Sequence, residues 1–167
     1  MIIKYTNYSD GVHHIELKKS AEKLNLGEPF TGDVLLNCKM DKSLSQIACD
    51  CELSVKLNLT CDRCTKEFTS ERKAEFQIIY LFSKEGIEED DINVHYLSPE
   101  IDKINLSEDT IEYCKLSIPL KILCDENCKG LCLKCGADLN KETCGCVKEN
   151  FNPVWDELKK LKDRSNN

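Results

Sequence analysis

Residues 124–146 read CDENCKGLCLKCGADLNKETCGC and hold half of the twelve cysteines of the chain. These cysteines are Cys124, Cys128, Cys132, Cys135, Cys144 and Cys146. The residues between them are mostly polar, charged or glycine, so the segment cannot be an ordinary apolar core element. Thiols spaced this closely are typical of metal ligands or of disulfide partners.

The composition favours metal ligands. The chain has 167 residues, of which 41% are hydrophobic and 32% charged, as in one soluble globular domain with a small appendage. No apolar run reaches transmembrane length, and the start, MIIKYTNYSD, does not resemble a secretory signal. We therefore expect a cytoplasmic protein in a reducing compartment, where clustered thiols usually bind metal. A disulfide scaffold is the alternative.

The charge is concentrated in one run. The net charge is −7, and residues 84–109 carry nine carboxylates against two lysines, so this run accounts for all of it. We interpret the run as a solvated connector, with a docking surface for a basic partner as the alternative. No part of the chain is basic enough to bind nucleic acid through phosphate charge alone.

Alternating apolar residues predict an antiparallel β meander over residues 30–82. The alternation is clearest over 30–40 and 47–59, and a third run covers about 67–82. The last hairpin is predicted to turn at Cys61–Cys64. Weaker patterns predict strands at 2–5 and 13–17. The remaining cysteines lie on apolar faces, where a free thiol acts as a small hydrophobic residue: Cys38, Cys49, Cys51 and Cys114.

Two short helices are expected. Ser107 is a good N-cap for a helix over 108–118, which Pro119 ends, and Asn152 with Pro153 can begin the second. The predicted fold class is mainly β (α+β), with an antiparallel sheet or open barrel and a C-terminal cysteine-rich zinc-binding segment. Residues 1–120 form the β core with the connector, and 121–167 form the zinc-binding segment and last helix, clamped to it as one integrated domain.

Eight thiols form four pairs, and the chain entropy lost on closing each loop indicates how the pairs combine. Joining Cys132/Cys135 to Cys144/Cys146 closes a loop of only eight residues, which costs the least chain entropy. The pair at 61 and 64 is then left to join the pair at 124 and 128. Residues 132–136 have the form of a zinc knuckle. We predict two structural zinc sites, each with four cysteine ligands: Cys61, Cys64, Cys124 and Cys128 in one, and Cys132, Cys135, Cys144 and Cys146 in the other.

Four thiolates close the shell of a zinc ion and leave no position for substrate, so we predict that the protein is not an enzyme and has no catalytic residues. An iron–sulfur cluster is one alternative for the same ligands. A thiol–disulfide redox protein using Cys61 and Cys64 is the main enzymatic alternative. Such a reactive thiolate is favoured by a helix N-terminus, which the predicted all-β setting lacks.

Several of these motifs resemble the YceD family of large ribosomal RNA subunit accumulation proteins. The segment from Ile118 to Cys146, with CKGLCLKCG at 128–136, carries the resemblance. Cys61, Arg63, Cys64 and Phe68 also match, as does Asn152-Pro153, although Val154 stands where a basic residue often follows. The resemblance supplies no reaction and no binding residue.

The resemblance implies a role in ribosome assembly through the accumulation or processing of large-subunit ribosomal RNA. The expected partner is a ribosomal protein or an assembly intermediate, with direct rRNA contact as the alternative. No membrane and no small-molecule substrate are expected. The resemblance also implies that the site at 61, 64, 124 and 128 is nearer the common core of the family.

Overall fold

A computed structural model of the chain describes residues 1–85, 87 and 91–146. Within these residues there are two sheets and one α-helix. The elements are β1 (Ile2–Ile3), β2 (Gly11–Ser20), β3 (Phe30–Lys42), β4 (Gln46–Thr60), β5 (Glu67–Leu81), β6 (Val94–Tyr96), β7 (Ile104–Asn105) and α1 (Ser107–Leu116). In the part of the chain so described, no helix is both long and apolar enough to cross a membrane.

The larger sheet has five strands in the order β2-β3-β4-β5-β6. The first four pair antiparallel with their neighbours in sequence, which confirms the predicted meander. The edge strand β6 runs parallel to β5, with Ile79 opposite Val94, so the expectation of a purely antiparallel sheet was wrong at this edge. A strand of three residues is too short to show a period-2 pattern in the sequence.

The core lies on one face of this sheet. On β4, every second residue from Ile47 to Leu59 is 4% exposed or less, as the alternation predicts. The opposite face is polar and is held by cross-strand contacts. There Lys73 pairs with Glu52 at 2.7 Å, and the Gln77 amide donates to Asp50 at 2.6 Å.

A second layer covers the core face. Strand β1 pairs antiparallel with β7, and α1 packs on β4 and β5, where Tyr113 stacks on Phe76 with ring centroids 4.4 Å apart. Leu97, Ile104 and Leu106 are buried in this layer. The run 84–109 is therefore more than a solvated connector, because these three apolar residues enter the core while the charges around them hide the pattern.

Helix α1 begins at Ser107 and ends at Leu116, close to the predicted 108–118. Ser107 is not its N-cap, because it is already the first helical residue and Leu106 stands at the N-cap position. The Ser107 hydroxyl accepts a hydrogen bond from the N-terminal amino group of Met1. The Asn105 side chain accepts the Ser107 N–H at 3.1 Å. The helix predicted to start at Asn152 lies outside the described residues.

Two of the four core cysteines are joined to each other. Cys38 and Cys51 lie directly opposite on β3 and β4, with Cα atoms 4.1 Å apart, and form a disulfide. Treating them as free thiols was wrong, although their burial was predicted correctly. Cys49 and Cys114 are buried free thiols, as expected. The sequence pattern gives the face of each cysteine but not the strand register that brings two of them together.

Candidate metal centre

The eight predicted ligands lie in two groups of four thiols. In each group the sulfur atoms all lie within 4.8 Å of one another. We call Cys61, Cys64, Cys124 and Cys128 the hairpin group, and Cys132, Cys135, Cys144 and Cys146 the knuckle group. This is the grouping that the loop-closure argument predicts. Each group could hold a metal ion.

The turn between β4 and β5 presents the first two thiols of the hairpin group. The Cys61 N–H donates to the Lys66 carbonyl at 2.9 Å, and the Thr65 N–H donates to the Cys61 carbonyl at 2.9 Å. Thr65 adopts a positive φ of 56°, which lets the chain close this tight turn. Cys61 and Cys64 are thereby fixed at the predicted hairpin tip.

The two residues between these cysteines attach the later segment to the turn. Asp62 exchanges two bonds with Ile122, its N–H donating at 2.8 Å and its carboxylate accepting at 2.7 Å. The Arg63 guanidinium donates to the Cys128 carbonyl at 2.7 Å, and its own carbonyl accepts the Leu131 N–H at 3.0 Å. Both roles were missed in the sequence analysis, because the identities of Asp62 and Arg63 do not indicate which residues, 60 or more positions later, they contact.

Gly130 permits the close approach of these two segments. Its φ is +78°, and a Cβ atom added there would lie 2.9 Å from the Arg63 carbonyl oxygen. Both the backbone conformation and the contact require glycine at this position. The glycine in the Cys128–Cys132 interval is therefore part of the geometry that assembles the hairpin group.

The hairpin group is buried and compact. Cys61, Cys64 and Cys128 are 1%, 6% and 4% exposed. The Cys61 and Cys128 sulfurs are 3.9 Å apart, and those of Cys64 and Cys124 are 3.5 Å apart. Four thiolates at about 2.3 Å from one tetrahedral ion would lie about 3.8 Å apart, so these spacings fit a single ion. Three partly buried apolar side chains pack around the group: Phe68, Leu123 and Leu131.

The local charges of this group also suit a cation. Burial opposes ionisation of Cys61, but backbone N–H groups of Cys124 and Cys64 outweigh it and lower the pKa of Cys61. The neighbouring Cys64 side chain, with burial, raises the pKa of Cys124 to about 12. Adjacent thiols cannot all ionise without a compensating positive charge, and a divalent ion would supply it.

The knuckle group is built on a turn with the same hydrogen-bond pattern as the hairpin turn, but it is more exposed. The Cys132 N–H donates to the Ala137 carbonyl and the Gly136 N–H to the Cys132 carbonyl, both at 2.8 Å. Backbone N–H groups of Cys135 and Lys134 lower the pKa of Cys132. Gly136, the last residue of the predicted knuckle, adopts a left-handed φ of +75°, which lets the chain turn there. Its own N–H, however, bonds a carbonyl, and the donors to the Cys132 sulfur come from the two residues before it.

Asn140 is a site residue to which the sequence assigned no role. It lies between the two pairs of the knuckle group, yet its Nδ2 donates to the Cys128 sulfur of the hairpin group at 3.4 Å. Its position in the loop between Cys135 and Cys144 gives no signal of this contact. Only the folded path of the loop brings the amide to that sulfur.

Comparison with curated proteins finds relatives from plants. Over 69 residues the chain is 36% identical to "Large ribosomal RNA subunit accumulation protein YCED homolog 1, chloroplastic" of Arabidopsis thaliana, covering 41% of this chain and 22% of that protein. Over 62 residues it is 42% identical to the Zea mays protein of the same description, covering 36% and 20%. The chain thus spans about a fifth of the length of these relatives.

No solved structure matches the chain. Residues 49–162 match the family described as "Large ribosomal RNA subunit accumulation protein YceD". That range covers more than half of the chain and includes both thiol groups. The chain therefore belongs to the YceD family.

Proposed function

We propose that this protein is a non-enzymatic adaptor or assembly factor that holds two structural zinc ions and supports the accumulation of large-subunit ribosomal RNA. Family membership supports the ribosomal role. The observation that carries the metal role is the presence of two groups of four thiols, each with its sulfurs within 4.8 Å of one another.

Zinc fits the donor set best. Four sulfur ligands and no oxygen ligand are typical of structural zinc, and a closed tetrahedral shell offers no position for water or substrate. The short sulfur–sulfur distances suit one ion, whereas a cluster of several iron atoms needs its four sulfurs spread more widely. Sites of this kind contribute on the order of 10 kcal/mol to folding.

In this proposal the hairpin group joins the β core of 1–120 to the segment 121–167 as one integrated domain. The segment that carries Cys124 and Cys128 already contacts the β4–β5 turn through the bonds of Asp62 and Arg63. A metal shared by Cys61, Cys64 and these two thiols would strengthen that attachment for as long as it is bound. A structural role of this kind requires no catalytic residue.

The charge distribution supports a protein partner. The net charge is −7, and the run at 84–109 concentrates the carboxylates. A basic ribosomal protein or an assembly intermediate, met in the cytoplasm, is the partner that this charge attracts, and the effect on rRNA is then indirect. Gel-shift titrations with naked large-subunit rRNA fragments should show no tight complex, and a tight salt-sensitive complex would contradict the indirect role.

One observation favours a thiol–disulfide redox protein as the second candidate. The lowered pKa of Cys61 is a property of reactive cysteines. The same thiol is only 1% exposed, which closes it to a substrate disulfide. An assay for dithiol turnover decides between the two, because a structural zinc protein shows none.

Metal analysis tests the proposal directly. We expect two zinc ions per chain in the purified protein and one in Cys61→Ser/Cys64→Ser. Cys49→Ala is the matched control, since Cys49 is a buried free cysteine outside both groups, and it should keep two. Unchanged metal content in the double variant would contradict the hairpin site, and a brown protein with visible absorbance would identify an iron–sulfur cluster instead.

The ribosomal role is tested in cells that lack the gene. Mature large-subunit rRNA should fall relative to small-subunit rRNA and return when the wild-type gene is supplied. The Cys61→Ser/Cys64→Ser variant should fail to restore it, whereas Cys49→Ala should succeed. Normal rRNA levels without the gene would refute the role for this chain.

A further inference from the structure

The side chain of Asn140 contacts the start of the segment that separates the two thiol groups. Its Nδ2 donates to the Cys128 sulfur at 3.4 Å, and its Oδ1 accepts the Lys129 N–H at 2.7 Å. Cys128 belongs to the hairpin group, while Asn140 lies in the loop that joins Cys135 to Cys144 of the knuckle group. One loop therefore belongs to one group and contacts the other.

This loop is folded so that the amide is held in place. The Asp138 carboxylate accepts both the backbone N–H of Asn140, at 3.0 Å, and its Nδ2, at 2.8 Å. The Leu139 N–H donates to the Gly130 carbonyl at 3.0 Å, and Leu131 forms a β-bridge with Asp138. The loop thus lies back across the residues between the two groups, and its position fixes the Asn140 amide.

A donor beside a metal-bound thiolate strengthens the site. An N–H group aimed at the sulfur stabilises its negative charge and orients it toward the ion, and losing such a partner costs about 10-fold or more in metal affinity. Asn140 can donate only while its loop is closed. A metal bound at Cys135 and Cys144 would fix both ends of that loop and so keep it closed.

We infer that Asn140 couples the two sites, so that metal in the knuckle group raises the metal affinity of the hairpin group. This rests on the proposed function, since it requires both groups to bind metal. By linkage, metal in the hairpin group raises the affinity of the knuckle group by the same factor. The knuckle group is the more exposed, with Cys135 open to solvent, so a chelator empties it first and weakens the buried site as a consequence.

Competition titrations of the full chain with Zn²⁺ and Co²⁺ against a chromogenic chelator test this coupling. We expect Asn140→Ala to weaken the hairpin site about 10-fold. Cys144→Ser/Cys146→Ser, which removes the knuckle site, should weaken it to the same extent. The two changes combined should cost no more than either alone, because both remove the same hydrogen bond. Glu142→Ala, an exposed position in the same loop, is the control and should have no effect.

A spectroscopic readout separates positioning from folding. In the Co²⁺-loaded hairpin site, the thiolate-to-cobalt charge-transfer band should shift in Asn140→Ala. It should shift further in Asn140→Asp, which places a carboxylate beside the sulfur. Circular dichroism of the same samples should match the wild type, since the β core does not involve this loop. An unshifted band would overturn the role of Asn140.

The outcomes distinguish this inference from the proposed function. If no variant and no wild-type sample binds metal, the proposed function fails and the coupling fails with it. If two metals bind with normal affinity in Asn140→Ala, the proposed function stands and the coupling is refuted. Losses that add when Asn140→Ala is combined with Cys144→Ser/Cys146→Ser would also refute it.

Discussion

Replacing Gly130 with alanine should be among the most damaging single-methyl changes in the protein. Gly130 has φ +78°, and the new Cβ would lie 2.9 Å from the Arg63 carbonyl oxygen and 3.2 Å from the Arg63 Cβ. The left-handed conformation alone costs an L-residue about 1–2 kcal/mol. Pushing two backbone segments apart adds about 1–3 kcal/mol. The expected total is roughly 2–5 kcal/mol of unfolding free energy.

Gly136 provides a matched control for this change. Its φ of +75° is nearly the same, but nothing lies within 4 Å of an added Cβ atom. Gly136→Ala should therefore lose only the conformational cost of about 1–2 kcal/mol. The difference between the two variants isolates the close approach of Gly130 to Arg63.

Urea unfolding at a fixed free zinc concentration measures both variants, because metal that binds only the folded state otherwise changes the apparent stability. Gly130→Ala should also release zinc to a chelator faster than Gly136→Ala, since it displaces the carbonyl that accepts the Leu131 N–H. Equal losses of unfolding free energy in the two variants would refute the steric argument. A smaller loss of unfolding free energy in Gly130→Ala than in Gly136→Ala would contradict the close contact between Gly130 and Arg63.

Three further predictions address the β core. Leu53→Ala, at a fully buried position, should cost about 2–5 kcal/mol by urea unfolding, whereas Leu133→Ala, at an exposed one, should stay within about 0.5 kcal/mol. Burial raises the pKa of Cys49 from about 9 to about 12, so its contribution to stability is complete below pH 9 and is lost as the pH rises toward 12. Cys49→Ala should therefore flatten the alkaline part of the stability–pH curve, and an unchanged slope would contradict the assignment. Alkylation under denaturing, non-reducing conditions should leave Cys38 and Cys51 unlabelled. Mass spectrometry of a non-reduced digest should find the peptides that contain them joined by a disulfide. Labelling of either cysteine would argue against the disulfide.

The parts of the fold that were predicted from sequence are those with local causes. Strict alternation on β4 gives the buried face directly, because side chains on a strand point alternately to its two sides. The turn at Cys61–Cys64 follows from where that alternation stops. The grouping of the thiols follows from loop length, since a short loop costs less chain entropy to close than a long one.

The parts that were missed depend on where distant segments meet. The disulfide requires the register that sets Cys38 opposite Cys51, and β6 is too short to carry a pattern of its own. Asn140 reaches Cys128 only because its loop folds back over Gly130. In each case a residue of ordinary type acquires its role from a long-range contact that no local spacing encodes.

At the hairpin group, hydrogen bonds and a metal ion would make different contributions to the attachment of the C-terminal segment. The bonds of Asp62 to Ile122 and of Arg63 to Cys128 need no metal, but each contributes only about 1 kcal/mol net. A four-thiolate zinc site contributes on the order of 10 kcal/mol. The hydrogen bonds are directional and specific to these partners, so they select which segment meets the turn and in what register. Metal coordination does not by itself specify the register, but it contributes much more free energy. It would hold the segment in place once the four thiols had been brought together.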